Sequence, residues 1–164
     1  MYFYGTNEFA VRLPSIVLSS FSVIMAFFIG ARLFSKRIGY YTAFFIAING
    51  LLLEMVSGRA PTDHVDVFFA FFIEASVVCA VLLAEKKKTL WAILSGASIG
   101  LAILCKWLPA LIVFPIVIML LSYYKFTLKE IIGKVLIMLG ALLVVAAPWQ
   151  IYIFTVFPEE AAWE

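Results

Sequence analysis

The run Arg59-Ala60-Pro61-Thr62-Asp63-His64-Val65-Asp66 brings the only histidine of the chain and two carboxylates into one short polar stretch between long apolar blocks. A carboxylate held at such a boundary can act as a general base or orient a hydroxyl for attack. The same residues also have a structural reading. Pro61-Thr62 interrupts the chain, Thr62 or Asp63 can cap the helix that follows, and acids in a first helical turn are favoured by the helix dipole. Local sequence supports both readings. His64 with Asp63 or Asp66 is too small a set for a dedicated zinc site, since there is no second histidine. No metal or cofactor is therefore assigned.

Three cations, Arg12, Arg59 and Lys106, each flank an apolar block. Snorkelling from a lipid-facing stem would account for them. Arginine forks and lysine point charges also hold phosphoryl oxygens, and Lys106 is the stronger candidate for that role. Glu74 lies deep in an apolar run, where an ionisable group normally faces a partner or a cavity. Cys79 and Cys105 both lie in apolar segments and are expected as packed thiols rather than a disulfide or metal pair.

These groups need elements to position them, and composition says which kind. Of 164 residues, 65% are hydrophobic and 13% charged, and the mean hydropathy is +1.11. A water-soluble domain of this size needs more polar surface, so the fold class expected is all-α, a polytopic bundle of transmembrane helices. A net charge of +2 without a basic, aromatic-interleaved stripe excludes a nucleic-acid partner. Met1 to Arg12 is polar and acidic and is not expected to act as a secretory signal.

A spanning helix needs about 20 mainly apolar residues. On that measure the sequence predicts about six spans, over residues 13–34, 38–56, 65–84, 90–104, 108–124 and 133–154. The fourth is short, Pro109 marks a break after it, and Pro115 is expected to kink the fifth. If the segments alternate, Arg32, Lys36, Arg37, Lys86, Lys87, Lys88, Lys125, Lys129 and Lys134 collect on one side. Arg12, Arg59 and Lys106 collect on the other. Nine cations against three make the first side cytoplasmic. The outer side then carries Glu8, Glu54, Asp63, Asp66, Glu159, Glu160 and Glu164, with Trp149 and Trp163 suited to an interfacial belt. An N-terminus on the outer side implies a preceding span, so the sequence is expected to be part of a longer chain.

Four stretches, in this order, carry a resemblance to a known family. Tyr4-Gly5-Thr6-Asn7-Glu8-Phe9-Ala10-Val11-Arg12-Leu13-Pro14-Ser15 resembles the entry to the second span of GT-C glycosyltransferases of the protein O-mannosyltransferase and aminoarabinose-transferase type. Ser57-Gly58-Arg59-Ala60-Pro61-Thr62-Asp63 resembles their second outer loop. The stretch from Gly96 to Lys106 resembles their Gly-x3-Gly-Leu-x3-(Thr/Cys)-Lys, and Ala147-Pro148-Trp149 their later Pro-Trp. The resemblance implies a partial GT-C membrane domain over residues 1–164. It implies transfer of a sugar, with inversion, from a polyprenyl-phosphate carrier to a protein or lipid acceptor outside a bacterial inner membrane.

In that family a carboxylate deprotonates or orients the acceptor, and cations hold the departing lipid phosphate. The resemblance thus implies Asp63 as the catalytic acid of the second loop and Lys106 as the phosphate lysine. Arg59, Glu8, Arg12, His64 and Asp66 are implied near the substrates. Family members keep their principal catalytic acid in a first outer loop, which is expected before Met1, so the chain alone is not expected to catalyse transfer. A non-catalytic membrane scaffold or a transporter subunit is the alternative. No internal repeat of the transporter kind is found.

Overall fold

The computed structural model describes residues 8–57 and 65–157, and these are helical apart from short turns, without a strand. The helices are α1 (Glu8–Leu33), α2 (Lys36–Ala47), α3 (Gly50–Ser57), α4 (Val65–Lys86), α5 (Thr89–Cys105), α6 (Val113–Tyr123) and α7 (Leu128–Val156), with a 3₁₀ turn Leu108–Ile112 before α6.

The helices α1, α4 and α7 are long and apolar enough to cross a membrane, and α2 with α3 makes a fourth if the bent pair is one span. The helix α5 has 17 residues, about 25 Å at the usual rise, against about 30 Å of hydrocarbon. Length and composition thus support three or four spans; six would require α5 and the 3₁₀–α6 segment to cross as short helices. The protein is an integral membrane protein: large apolar side chains such as Phe21, Ile24, Phe44, Phe45, Val144 and Ile151 stand exposed around the bundle, where lipid, not water, suits them.

The helices differ from the sequence reading in several places, and α1 already begins at Glu8 rather than at residue 13. The apolar run over residues 38–56 is two helices bent by 45°. Asn49 causes the break, because its Oδ1 accepts from the Leu52 N–H at 3.1 Å and so caps α3. The last helix begins at Leu128 rather than Gly133, because Thr127 and Glu130 form a capping box. Pro115 does not kink a long helix. It falls in the first turn of α6, where its missing N–H has no helical partner to lose.

Packing turns on close contacts between small residues. Helices α4 and α5 form an antiparallel hairpin whose turn contains Lys87, with a left-handed φ of 57°. Midway along it, the hydroxyls of Ser76 and Ser95 lie 2.8 Å apart. Each also lies within bonding distance of the other residue's carbonyl, at 3.0 and 3.1 Å. Both serines are fully buried, so the pair satisfies two hydroxyls that lipid could not.

Helix α7 lies parallel to α5, against its glycines. A Cβ on Gly96 would come within 2.7 Å of the Met138 Cα, and one on Gly100 within 2.9 Å of the Val145 Cβ. Small residues four apart are the usual means of such backbone approach in membranes. Helices α1 and α2 meet similarly, where a Cβ on Gly39 would lie 2.8 Å from the Phe27 carbonyl. The core lies among α4 to α7, with Leu83, Ile99, Val117, Leu121 and Met138 fully buried.

Candidate functional site

The hairpin places its chemistry at two opposite ends. At one end stand Lys86, Lys87 and Lys88. Arg32 joins them through a 2.7 Å ion pair to Glu85, and Lys134 donates to Thr89 Oγ1 at 2.8 Å. The turn between α1 and α2 brings Lys36 and Arg37 to the same end. At the other end, Lys106 caps the C-terminus of α5 with its N–H on the Ala102 carbonyl, and its ammonium forms an ion pair with Asp66 in the first turn of α4.

Helix α1 runs parallel to α4. Arg32 meets Glu85 at the lysine-rich end, and the side chains of Ser22 and Glu74 come close halfway along. The same register carries Arg12 to the level where α4 begins. There its Nη1 donates to the Ser57 carbonyl, the last described residue before the polar loop. Arg12, Ser57, Asp66 and Lys106 therefore all lie at the end of the bundle away from the lysine-rich turn.

Of the residues singled out by sequence, Arg59, Asp63 and His64 lie outside the described residues, as do Trp163, Glu159, Glu160 and Glu164. Glu8 is the first residue of α1. Arg12, Asp66 and Lys106 are brought to one end, and the last two are joined directly. Lys106 thus meets a carboxylate of its own chain, a partner that the sequence reading did not assign to it. The Lys106 side chain is 48% exposed and the Asp66 side chain 23%, so the pair lies at the surface of the bundle. A surface lysine near apolar segments is chemically suited to hold phosphoryl oxygens.

The Gly96-to-Lys106 stretch divides into two functions. Its glycines seat α5 against α7, and its terminal lysine carries the charge. Glu74, deep in its apolar run, lies beside Ser22 across the α1–α4 contact, while its Oε2 has no hydrogen-bond partner. Trp149 stacks on Tyr152 with ring centroids 5.8 Å apart, toward the same end of the bundle as Lys106. Among the described residues no group of three or more His, Cys, Asp and Glu side chains could hold a metal ion.

Comparison with known proteins identifies the family. A family model described as dolichyl-phosphate-mannose-protein mannosyltransferase matches residues 1–152. The undecaprenyl phosphate-alpha-4-amino-4-deoxy-L-arabinose arabinosyl transferase of Pseudomonas aeruginosa (strain UCBPP-PA14) is 27% identical over 158 residues, covering 90% of this chain and 27% of that protein. The enzyme of the same name from Erwinia tasmaniensis is 26% identical, over 92% of this chain and 27% of its own. The putative mannosyltransferase YycA of Bacillus subtilis (strain 168) is 24% identical, over 90% of this chain and 21% of its own. The chain thus spans about a quarter of the length of these relatives. No solved structure matches it significantly. With nearly its whole length matched by one family model, the chain belongs to the dolichyl-phosphate-mannose-protein mannosyltransferase family of membrane glycosyltransferases.

Proposed function

We propose that this chain is part of a membrane glycosyltransferase that moves a sugar from a polyprenyl-phosphate donor to a protein or lipid acceptor on the extracytoplasmic side. The observation that carries this reading is the position of Lys106. The α4–α5 hairpin sets it at the end opposite the lysine-rich turn, beside Asp66 and level with the approach to the polar loop. The lysine-rich end then faces the cytoplasm of a bacterial inner membrane, and the six apolar segments, two of them short, all cross.

In this reading the Asp63 carboxylate takes up the proton of the acceptor hydroxyl, or orients it, as the oxygen attacks the anomeric carbon. The new C–O bond forms on one face, and the bond to the phosphate oxygen breaks on the other. The electron pair leaves with the polyprenyl phosphate, and Lys106 neutralises the charge that develops there. Asp66 holds Lys106 until the donor phosphate replaces it. Where a carboxylate of another outer loop of the full-length enzyme takes the proton, Asp63 orients the hydroxyl; Arg59, Arg12, Glu8 and His64 are the further candidates for substrate binding.

The test is transfer from a radiolabelled polyprenyl-phosphate sugar by the full-length transferase. Asp63→Ala and Lys106→Ala are each expected to insert normally and to lose transfer. Full activity in both variants would remove these residues from the site and leave a scaffold role as the better account.

A further inference from the structure

The lysine-rich end contains a pocket that the transfer reaction does not use. It has a volume of about 310 Å³ and is lined by Lys87, Phe126, Glu130, Gly133, Lys134 and Ile137. Two left-handed residues shape it, Lys87 at the α4–α5 turn and Lys125 at the turn into α7, with φ of 57° and 59°. These turns set the Lys87 ammonium 5.2 Å from the centre of the Phe126 ring. Lys134 reaches the rim from α7 and is held by Thr89. Nothing lies within 4 Å of a Cβ built on Gly133, so the wall is open there.

Charge and surroundings indicate what fits. Glu130, the one acid in the pocket, accepts from both the Thr127 N–H and its hydroxyl at 2.8 Å through the same oxygen, so it is bound to its own helix cap. Lys86, Lys88, Lys125 and Lys129 are close in sequence to the lining residues and add positive charge to the same end of the bundle. Phe126 and Ile137 make the inner wall apolar, and the exposed Val144, seven residues on and so two turns further along the same face of α7, continues it. Two ammonium groups above an apolar track that runs into the bilayer match a lipid phosphate with its acyl chains attached.

We infer that this pocket binds the phosphodiester headgroup of an anionic phospholipid from the leaflet at the lysine-rich end, held between Lys87 and Lys134 with its chains along α7. The site lies at the end of the bundle away from Asp66 and Lys106, so it stands or falls independently of the transferase reading.

The experiment is native mass spectrometry of the detergent-solubilised protein with phosphatidylglycerol or phosphatidylcholine added. Phosphatidylglycerol is expected to be retained and phosphatidylcholine lost. Lys87→Gln with Lys134→Gln should reduce retention by about thirtyfold, and Lys87→Gln alone, which leaves the bond between Lys134 and Thr89 in place, by about fivefold. Glu130→Gln keeps a side chain that suits the capping box and removes the opposing charge, so it should increase retention. Lys36→Gln, at the same end but outside the pocket, should change nothing. Equal retention of the two lipids would overturn the inference, as would a loss with Lys36→Gln as large as that of the pocket variants. Displacement of the lipid by millimolar inorganic phosphate alone would also overturn it, by showing a site for the free anion.

Discussion

Lys106 and Asp66 form an ion pair at the open end of the α4–α5 hairpin, with the fully buried Ser76–Ser95 pair behind it and the lysine-rich turn at the far end. If Asp66 serves as a counter-ion that the donor phosphate must displace, its two possible roles have opposite kinetic signatures. Asp66→Asn is then expected to lower the KM for the polyprenyl-phosphate sugar, because the competitor is gone. Lys106→Ala is expected to lower kcat/KM by about 10²-fold, the usual scale for losing a donor to a developing charge. Steady-state kinetics of the full-length enzyme separate the two. A raised KM in Asp66→Asn would make Asp66 a positioning residue for Lys106 instead.

The glycine half of the Gly96-to-Lys106 stretch predicts a contrast in stability. Gly96→Val forces a side chain into the Met138 backbone and should cost about 1–3 kcal/mol or separate α5 from α7. Gly140→Ala, on α7 with nothing within 4 Å of the added Cβ, should instead stabilise by about 0.5–1 kcal/mol. Thermal unfolding in detergent should shift in opposite directions for the two variants. A fall of the same size in both would mean that the α5–α7 contact is not where the structure has it.

Ser76 and Ser95 offer a double-mutant cycle. Each hydroxyl has one proton to donate and two acceptors of its partner within reach. Either single alanine should cost about 0.6–1.7 kcal/mol, the range of polar contacts between membrane helices. The double variant should cost less than the sum, because each single change already removes the shared bonds. Strict additivity would show that the two serines act independently.

Asn49 is expected to control the bend between α2 and α3. Asn49→Ala removes the acceptor for the Leu52 N–H and should cost about 1 kcal/mol, whereas Asn49→Ser keeps an uncharged acceptor and should be near neutral. Chemical denaturation checks the magnitude. Identical losses in both variants would assign the break to something other than the cap.

The sequence by itself determined the environment and the broad fold. The free energy of transfer to lipid is summed over local stretches of chain, so the 65% apolar content and the clustering of lysines are enough to declare a membrane helical protein. The grouping of cations was legible for the same reason, and the structure carries Arg32, Lys86, Lys87 and Lys134 to one end and Lys106 to the other. The Thr127–Glu130 capping box was also present in the sequence, at its usual spacing, and would have placed the start of α7. Tertiary structure alone decided the partners. Asp66 as counter-ion to Lys106, Ser76 opposite Ser95, Ser22 beside Glu74 and Gly96 against Met138 each join residues distant in sequence. Such pairs depend on the rotation and register of whole helices, which are set by the interlocking of many side chains at once. No local stretch of sequence carries that information.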